Sequence, residues 1–379
     1  MRVRYVHRGY FPARAGAELM TQYLAAAMRR RGLDTGVWSG EVDEDSARFL
    51  AAAGVGLEPL PAAGAEGAAR QADLVHAVDA FHPEDIRAGL RLARAWDVPF
   101  AVTPASAPEV WPDPQAVLDG CRQADAVFIL TGAERAMLRA EGVADSALHL
   151  IGQGPHLPGT ADPEGFRRAH GITGPLVLFL GRKMRSKGYT VLLEAARQVW
   201  QRHPTTHFAF LGPRWDADCA EVFAAHADPR ITELDLVDED VKHSALAACD
   251  LFCLPSTADV FPLVYVEAWC CGKPVIGSSF AGSAEVITHG VDGLIADPAA
   301  RPVAEAVGRL LADPGERAAM GGRGHDRARR ELTWEAVADR VHAVYTDLVA
   351  ARPRPAEPLP AELRLGAPRS ARPQREEAR

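Results

Sequence analysis

Short apolar runs alternate with amphipathic stretches from one end of this 379-residue chain to the other. Runs at 3–6, 74–78, 100–103, 127–130 and 148–151 read as buried strands, and helical periodicity falls between them over 18–31, 83–96 and 133–141. The second half repeats the pattern, with strands at 176–180, 207–211, 231–234, 251–254, 275–277 and 294–295 and helices at 189–202, 241–248 and 263–271. Such alternation predicts an α/β chain whose parallel sheets are covered on both faces. Between the halves, residues 152–165 (GQGPHLPGTADPEG) are rich in Gly and Pro and poor in apolar side chains, which places a boundary near residue 160. Two doubly wound, Rossmann-like domains, 1–160 and 161–350, would face each other across a cleft, with ligands at the carboxyl ends of their strands. Residues 351–379 are rich in Pro, Arg and Glu without an aromatic, and predict a disordered tail.

Composition narrows the function. A net charge of −8 argues against a general nucleic-acid binder, which needs an excess of Lys and Arg. No apolar run reaches the roughly 20 residues of a membrane span. The first residues alternate as a strand does and not as a signal peptide, so the cytoplasm is the expected location, with a peripheral membrane contact left open. The six cysteines make no disulfide framework, and Cys270 and Cys271, adjacent on a helix, start no tetrahedral metal site. No metal or other cofactor is expected.

Candidate chemistry gathers in the second half. The strand at 176–180 ends at Gly181, with Arg182 and Lys187 on the loop before the next helix. A guanidinium and an ammonium at a strand's carboxyl end suit phosphate oxygens; the plainer alternative is two solvated bases. Further on, PSTADVFPLVYVEAWCCGKPV places Asp259 in a loop and Glu267 in a helix, joined by the amides of that helix's first turn. An anion and hydroxyls can be held together there, as a sugar nucleotide requires. The plainer readings are a helix-end charge for Asp259 and an exposed helix face for Glu267. No GxxxxGK[ST] loop occurs, and the GxG at Gly152 lacks its final Gly and its helix.

These residues resemble the retaining nucleotide-sugar glycosyltransferases of family 4, which have the GT-B fold. The resemblance rests on Arg182 and Lys187, on Gly212 after the following strand, and on the acid-x7-acid motif from Asp259 to Glu267. The Gly-Lys-Pro-Val turn from Gly272, the Gly-x-x-Glu loop from Gly282 to Glu285 and the closing helices extend it. It implies that Glu267 binds the donor ribose, that Asp259 meets the donor sugar, and that the backbone of Phe261, Pro262, Leu263 and Val264 reaches the diphosphate. Gly181 and Leu236 complete the implied donor contacts, and Gly16, in a loop where Ala15 replaces the first Gly of a pair, would approach the diphosphate from across the cleft. Arg182, Lys187 and Asp259 are the implied catalytic groups. Two departures stand out: the first acid is usually Glu, and Pro262 stands where Gly is usual. A His usual after the strand at 100–103 is also replaced by Pro104-Ala105-Ser106. His76 and His82 remain as candidates for the acceptor side.

The expected function is a metal-independent transfer of a sugar, of the hexosyl type, from an NDP-sugar to a hydroxyl acceptor, with release of NDP. The acceptor is open between a sugar, a natural product and a lipid-linked glycan. Same-face attack is favoured because no carboxylate stands out as a nucleophile. Rival readings are another GT-B chemistry, such as epimerisation of a sugar nucleotide or phosphorolysis, and a non-catalytic nucleotide-sugar binder or assembly protein.

Overall fold

The computed structural model describes residues 1–10, 16–61 and 70–352. The predicted tail therefore lies outside the described residues beyond 352, as do Ala15 and the loop before it. The chain runs β1 (Arg2–Val6), β2 (Gly9–Tyr10), α1 (Gly16–Arg30), β3 (Asp34–Ser39), β4 (Glu41–Val42), α2 (Glu44–Ala52) and β5 (Gly56–Pro59). It continues with β6 (Leu74–Val78), α3 (Pro83–Ala95), β7 (Phe100–Thr103), α4 (Pro114–Gln123), β8 (Ala126–Ile129), α5 (Gly132–Ala140) and β9 (Leu148–Leu150). The second half holds α6 (Pro163–Ala169), β10 (Leu176–Leu180), α7 (Tyr189–Val199), β11 (His207–Leu211), α8 (Cys219–Ala225), β12 (Ile231–Leu234), α9 (Glu239–Ala248) and β13 (Leu251–Leu254). It closes with α10 (Leu263–Cys270), β14 (Val275–Ser278), α11 (Ala281–Val286), β15 (Gly293–Ala296), α12 (Ala300–Ala312), α13 (Pro314–Glu331) and α14 (Trp334–Ala351).

Two large parallel sheets result, beside a two-stranded pair of β2 and β4. The first has seven strands in the order β5-β3-β1-β6-β7-β8-β9, the second six in the order β12-β11-β10-β13-β14-β15. Each order reverses once, between β1 and β6 and between β10 and β13, and a crevice opens at the carboxyl ends on either side of such a reversal. Every residue of β10 (LVLFL) and β11 (HFAFL) is buried, as strands covered on both faces must be. The second sheet has one continuous core and the first has a core on each face.

Helix α14 does not stay with the second sheet. Trp334, Val337, Ala338, Val341 and Tyr345 enter one core of the first, and Arg30, the last residue of α1, and Arg31 just after it pair with Glu335 and Asp339. Helix α6 begins inside the stretch read as a linker: Asp162 accepts from the Gly165 amide at 2.8 Å, an N-cap that turns 163–169 into a helix. All six cysteines are free thiols, four of them buried.

Candidate functional site

The reversal between β10 and β13 builds the site. The loop after β10 is stitched to both neighbours. Lys183 N donates to Pro213 O at 2.8 Å, and Ser186 O accepts from Thr257 N at 2.7 Å and Ser256 Oγ at 3.0 Å. Gly212, at φ +127°, lies so close to Gly181 that a Cβ there would sit 2.2 Å from the Gly181 carbonyl oxygen, so only glycine lets the two loops meet. The buried Lys183, which the sequence reading passed over, locks the corner. Its Nζ donates to Gly212 O at 2.6 Å and Leu234 O at 2.7 Å and lies 3.2 Å from Glu233.

With Lys183 turned inward, its neighbours face the crevice. Lys187 Nζ donates to Asp259 Oδ2 at 2.6 Å, both side chains being mostly buried. Sequence reasoning set Lys187 on phosphate and Asp259 on sugar; the fold joins them in one ion pair. Arg182 is exposed, with its guanidinium carbon 4.9 Å from the centre of the Trp215 ring. Asp259 is seated by α11. A Cβ on Gly282 would fall 1.9 Å from Asp259 O, so the stretch expected as a Gly-rich loop is a helix packed directly under the acid.

Pro262 is the N-cap of α10, and the amides of Leu263 and Val264 open its first turn, before the helix's own hydrogen bonds begin. Phe261 packs against the core of the second sheet and one core of the first, bridging the two halves at this point. Tyr265, fully buried, donates its hydroxyl to Leu254 O at 2.8 Å and ties α10 to the end of β13.

Glu267 does not lie on an exposed helix face: it is 1% exposed. Its Oε1 accepts from His156 N at 3.1 Å and from Lys242 Nζ at 2.9 Å, while Oε2, equally buried, has no hydrogen-bond partner. Burial lowers the pKa of Lys242, but Glu267 and Glu239 outweigh it and hold that pKa above the ordinary lysine value. His156 carries the cluster to the first half, because its Nδ1 lies 2.6 Å from the Tyr23 hydroxyl on α1, and Tyr23 stacks on Trp334. Lys242, His156 and Tyr23 were not picked out from the sequence. They come from α9, the segment between β9 and α6, and α1, and no local spacing joins them.

Across the crevice the candidates separate. Gly16 opens α1, and its carbonyl accepts from Gln153 Nε2 at 2.9 Å. Leu236, just past β12, is 71% exposed. His76 is not an acceptor-side residue. It is fully buried in β6, with Nδ1 2.5 Å from the Tyr345 hydroxyl and Nε2 2.7 Å from Thr103 Oγ1, and burial lowers its pKa to about 3. His82 remains at the rim, partly exposed beside the exposed Phe81. Backbone strain gathers at the carboxyl ends of β6 and β7, where Asp79 and Ala105 hold φ of +83° and +58°. Glu134 on α5 is a further unpredicted group: burial pushes its carboxyl up to about 7, against the amides of Leu130 and Thr131, and Glu285 of α11 adds to the rise.

Two surface pockets, of about 420 and 510 Å³, lie beside α12, and neither includes a residue of the 181–188 or 255–267 segments. Among the described residues no helix is long and apolar enough to cross a membrane, and no group of three His, Cys, Asp or Glu is placed to hold a metal.

Residues 174–313 match the family described as Glycosyl transferases group 1. The chain is 29% identical to a D-inositol 3-phosphate glycosyltransferase of Xylanimonas cellulosilytica, over 70% of each chain. It is 26% identical to a GDP-mannose-dependent monoacylated alpha-(1-6)-phosphatidylinositol monomannoside mannosyltransferase of Corynebacterium glutamicum, over 52% of this chain and 56% of that one. Among solved structures, Anabaena HepE in complex with UDP and glucose superposes with a TM-score of 0.78 at 19% identity, covering 92% of this chain and all of HepE. WaaG, a glycosyltransferase involved in lipopolysaccharide biosynthesis, gives 0.67 at 15% identity, over 91% of this chain and 99% of WaaG. Both share the two-sheet GT-B fold.

Proposed function

We propose that this chain, which belongs to the glycosyl transferases group 1 family and is a retaining, nucleotide-sugar-dependent glycosyltransferase, binds its donor along the carboxyl ends of β10 and β13 and its acceptor against the first sheet. The observation that carries this reading is Glu267 Oε2, a carboxylate oxygen buried without a donor. An unsatisfied buried acceptor is costly, and each calls for a partner. A ribose hydroxyl is the donor that this reading supplies. From there the diphosphate would reach Arg182, Lys187 and the first-turn amides of α10, and the sugar would lie against Asp259.

Chemistry follows from that placement. As the glycosidic bond breaks, the leaving diphosphate gains charge, and fixed positive groups already aimed at it lower the barrier without reorganising. Same-face attack suits a site in which the departing phosphate oxygen takes the acceptor hydroxyl's proton. The acceptor would enter past Phe81 and His82 toward the strained ends of β6 and β7. On this reading the chain divides near residue 160, with the acceptor side before it and the donor side after.

The test is a melting-temperature screen with UDP, GDP, ADP and TDP, followed by turnover of the matching sugar nucleotides with acceptor pools. A nucleotide bound only to the native state at 100 times Kd adds about 2.7 kcal/mol of stability. The expected result is one preferred nucleotide, then NDP release with retained anomeric configuration in the product. Binding without turnover for every donor and acceptor pair would move the chain to the binding-protein alternative.

A further inference from the structure

Arginines that lie over tryptophan rings occur three times among the described residues, and one differs from the others. Arg230 stacks on Trp200 at 3.8 Å and pairs with Asp228 at 2.7 Å; Arg327 lies over Trp269 at 5.4 Å and pairs with Asp292 at 2.7 Å. Arg182 lies over Trp215 at 4.9 Å, and no carboxylate pairs with it among the described residues. The contrast holds locally as well. Arg214 makes two bonds to Glu233, at 2.8 and 2.7 Å, Arg185 pairs with Asp218, Lys183 with Glu233 and Lys187 with Asp259. In a loop region where acids meet nearly every base, Arg182 alone is held by an uncharged ring.

Trp215 itself is held by its backbone. Its amide donates to Lys183 O at 3.2 Å, a bridge joins Lys183 to Arg214, and Asp216 Oδ2 accepts from Arg185 N at 2.9 Å. The indole nonetheless stays 60% exposed. An aromatic face attracts a guanidinium through its quadrupole and leaves the N–H groups on the rim unused. A carboxylate partner would occupy those donors and cancel the charge.

We propose that Trp215 is a positioning residue for Arg182: it fixes the guanidinium at the carboxyl end of β10 while leaving its charge and donors free for the donor diphosphate. This rests on the reading of Arg182 as a phosphate ligand. Exposed cation–π contacts are worth about 0.5–1 kcal/mol, so losing the ring should weaken phosphate binding by roughly two- to five-fold. Loss of the guanidinium itself should weaken it by about ten-fold or more, the scale of charge-assisted hydrogen bonds.

Pyrophosphate is the probe, because it carries the charge without base or sugar. Its affinity is measured by calorimetry for the full-length wild type, Trp215→Ala, Trp215→Tyr, Arg182→Ala and the Trp215→Ala/Arg182→Ala double variant, with melting temperatures checked to confirm folding. Uridine, guanosine, adenosine and thymidine are titrated in parallel. The expected result is a two- to five-fold loss in Trp215→Ala, recovery in Trp215→Tyr, and a double variant no weaker than Arg182→Ala. Additive losses in the double variant overturn the proposal, and so does a loss confined to the nucleosides, which would make Trp215 a wall for the base. If Arg182→Ala binds pyrophosphate as wild type does, the phosphate reading of Arg182 fails first, whatever Trp215 does.

Discussion

Replacing Glu267 separates two jobs that the structure gives to one carboxylate. Its Oε1 holds His156 N at 3.1 Å and Lys242 Nζ at 2.9 Å, and its buried Oε2 has no partner. Glu267→Ala removes both. Breaking a buried ion pair from one side costs roughly 3–5 kcal/mol. Lys242 keeps Glu239 at 3.1 Å and His156 O at 2.8 Å, so the lower end, about 3 kcal/mol, is expected. For a cooperative unit of 150–250 residues that is a fall in Tm of about 6–12 °C. Glu267→Gln is the informative partner. Its amide oxygen can still accept from His156 and Lys242, so the cost should be nearer 1 kcal/mol, or about 2–4 °C. Its NH₂, which only donates, would stand where Oε2 accepts, and nucleoside diphosphate affinity should fall by about ten-fold or more, the scale of a charged hydrogen bond. Differential scanning fluorimetry gives the first number and calorimetric titration the second. Because His156 lies on the segment between the halves, protease nicking within 151–162 should also quicken in Glu267→Ala. If Glu267→Ala melts with wild type, the carboxylate is not the buried tie described. If Glu267→Gln is folded and binds the diphosphate as wild type does, Oε2 is not a ribose acceptor.

Asp259→Asn should lower kcat/KM with the intact donor by about 10- to 100-fold, as a charged hydrogen bond to the sugar is lost, and leave nucleoside diphosphate affinity no weaker, in a steady-state assay with product inhibition. Gly282→Ala should destabilise the fold by about 1–3 kcal/mol and lower turnover, because its Cβ would stand 1.9 Å from Asp259 O and α11 must move; matched melting and activity to wild type would contradict that packing. His76, lowered by burial to about 3 in the folded state, stays neutral while the unfolded chain takes up a proton below about 6.5. Its contribution is therefore complete above pH 6.5 and falls as the pH drops, by about 2 kcal/mol at pH 5, which urea unfolding of wild type against His76→Gln at pH 7 and pH 5 should expose as a smaller pH loss in the variant.

The strands were the most legible part of the sequence. Those at 74–78, 100–103, 176–180, 207–211, 231–234 and 251–254 stand at the same bounds in the structure; all but the half-buried edge strand at 231–234 are buried on both faces, where a strand is a nearly continuous apolar run with polar or turn residues at each end. Strands β3 and β5 were missed for the converse reason: β3 begins with Asp-Thr-Gly, and all of β5 (GLEP) is exposed at the sheet's edge. Arg182, Lys187, Asp259 and Glu267 were legible as a set of charges at strand and helix ends, but their pairings were not. Whether Lys187 meets Asp259 or an exposed neighbour depends on the Ser186 to Thr257 bond, 71 residues apart, and nothing local records it. His76 misled for a physical reason. A histidine within a short apolar run can serve a cleft or a core, and it is Tyr345, from a helix 269 residues away, that marks this one as core.

The exchange of Glu for Asp at 259 gains meaning from the Lys187 pair. A carboxylate fixed from below by Gly282 against its own carbonyl has little backbone freedom, so the length of its side chain sets where its oxygens stand. With one methylene fewer it sits 2.6 Å from Lys187, close enough that acid and base restrain each other. In the proposed roles this couples the two ends of the scissile bond. The ammonium can turn a remaining N–H to the diphosphate while Asp259 keeps Oδ1 for a sugar hydroxyl, and neither group moves without the other. Arg182 is held differently, by a neutral ring, and so meets the diphosphate with its charge uncompensated. One base is thus anchored by an acid and screened by it, while the other is anchored without screening. The developing charge on the leaving group should therefore depend more steeply on Arg182 than on Lys187, although both lie on the same short loop.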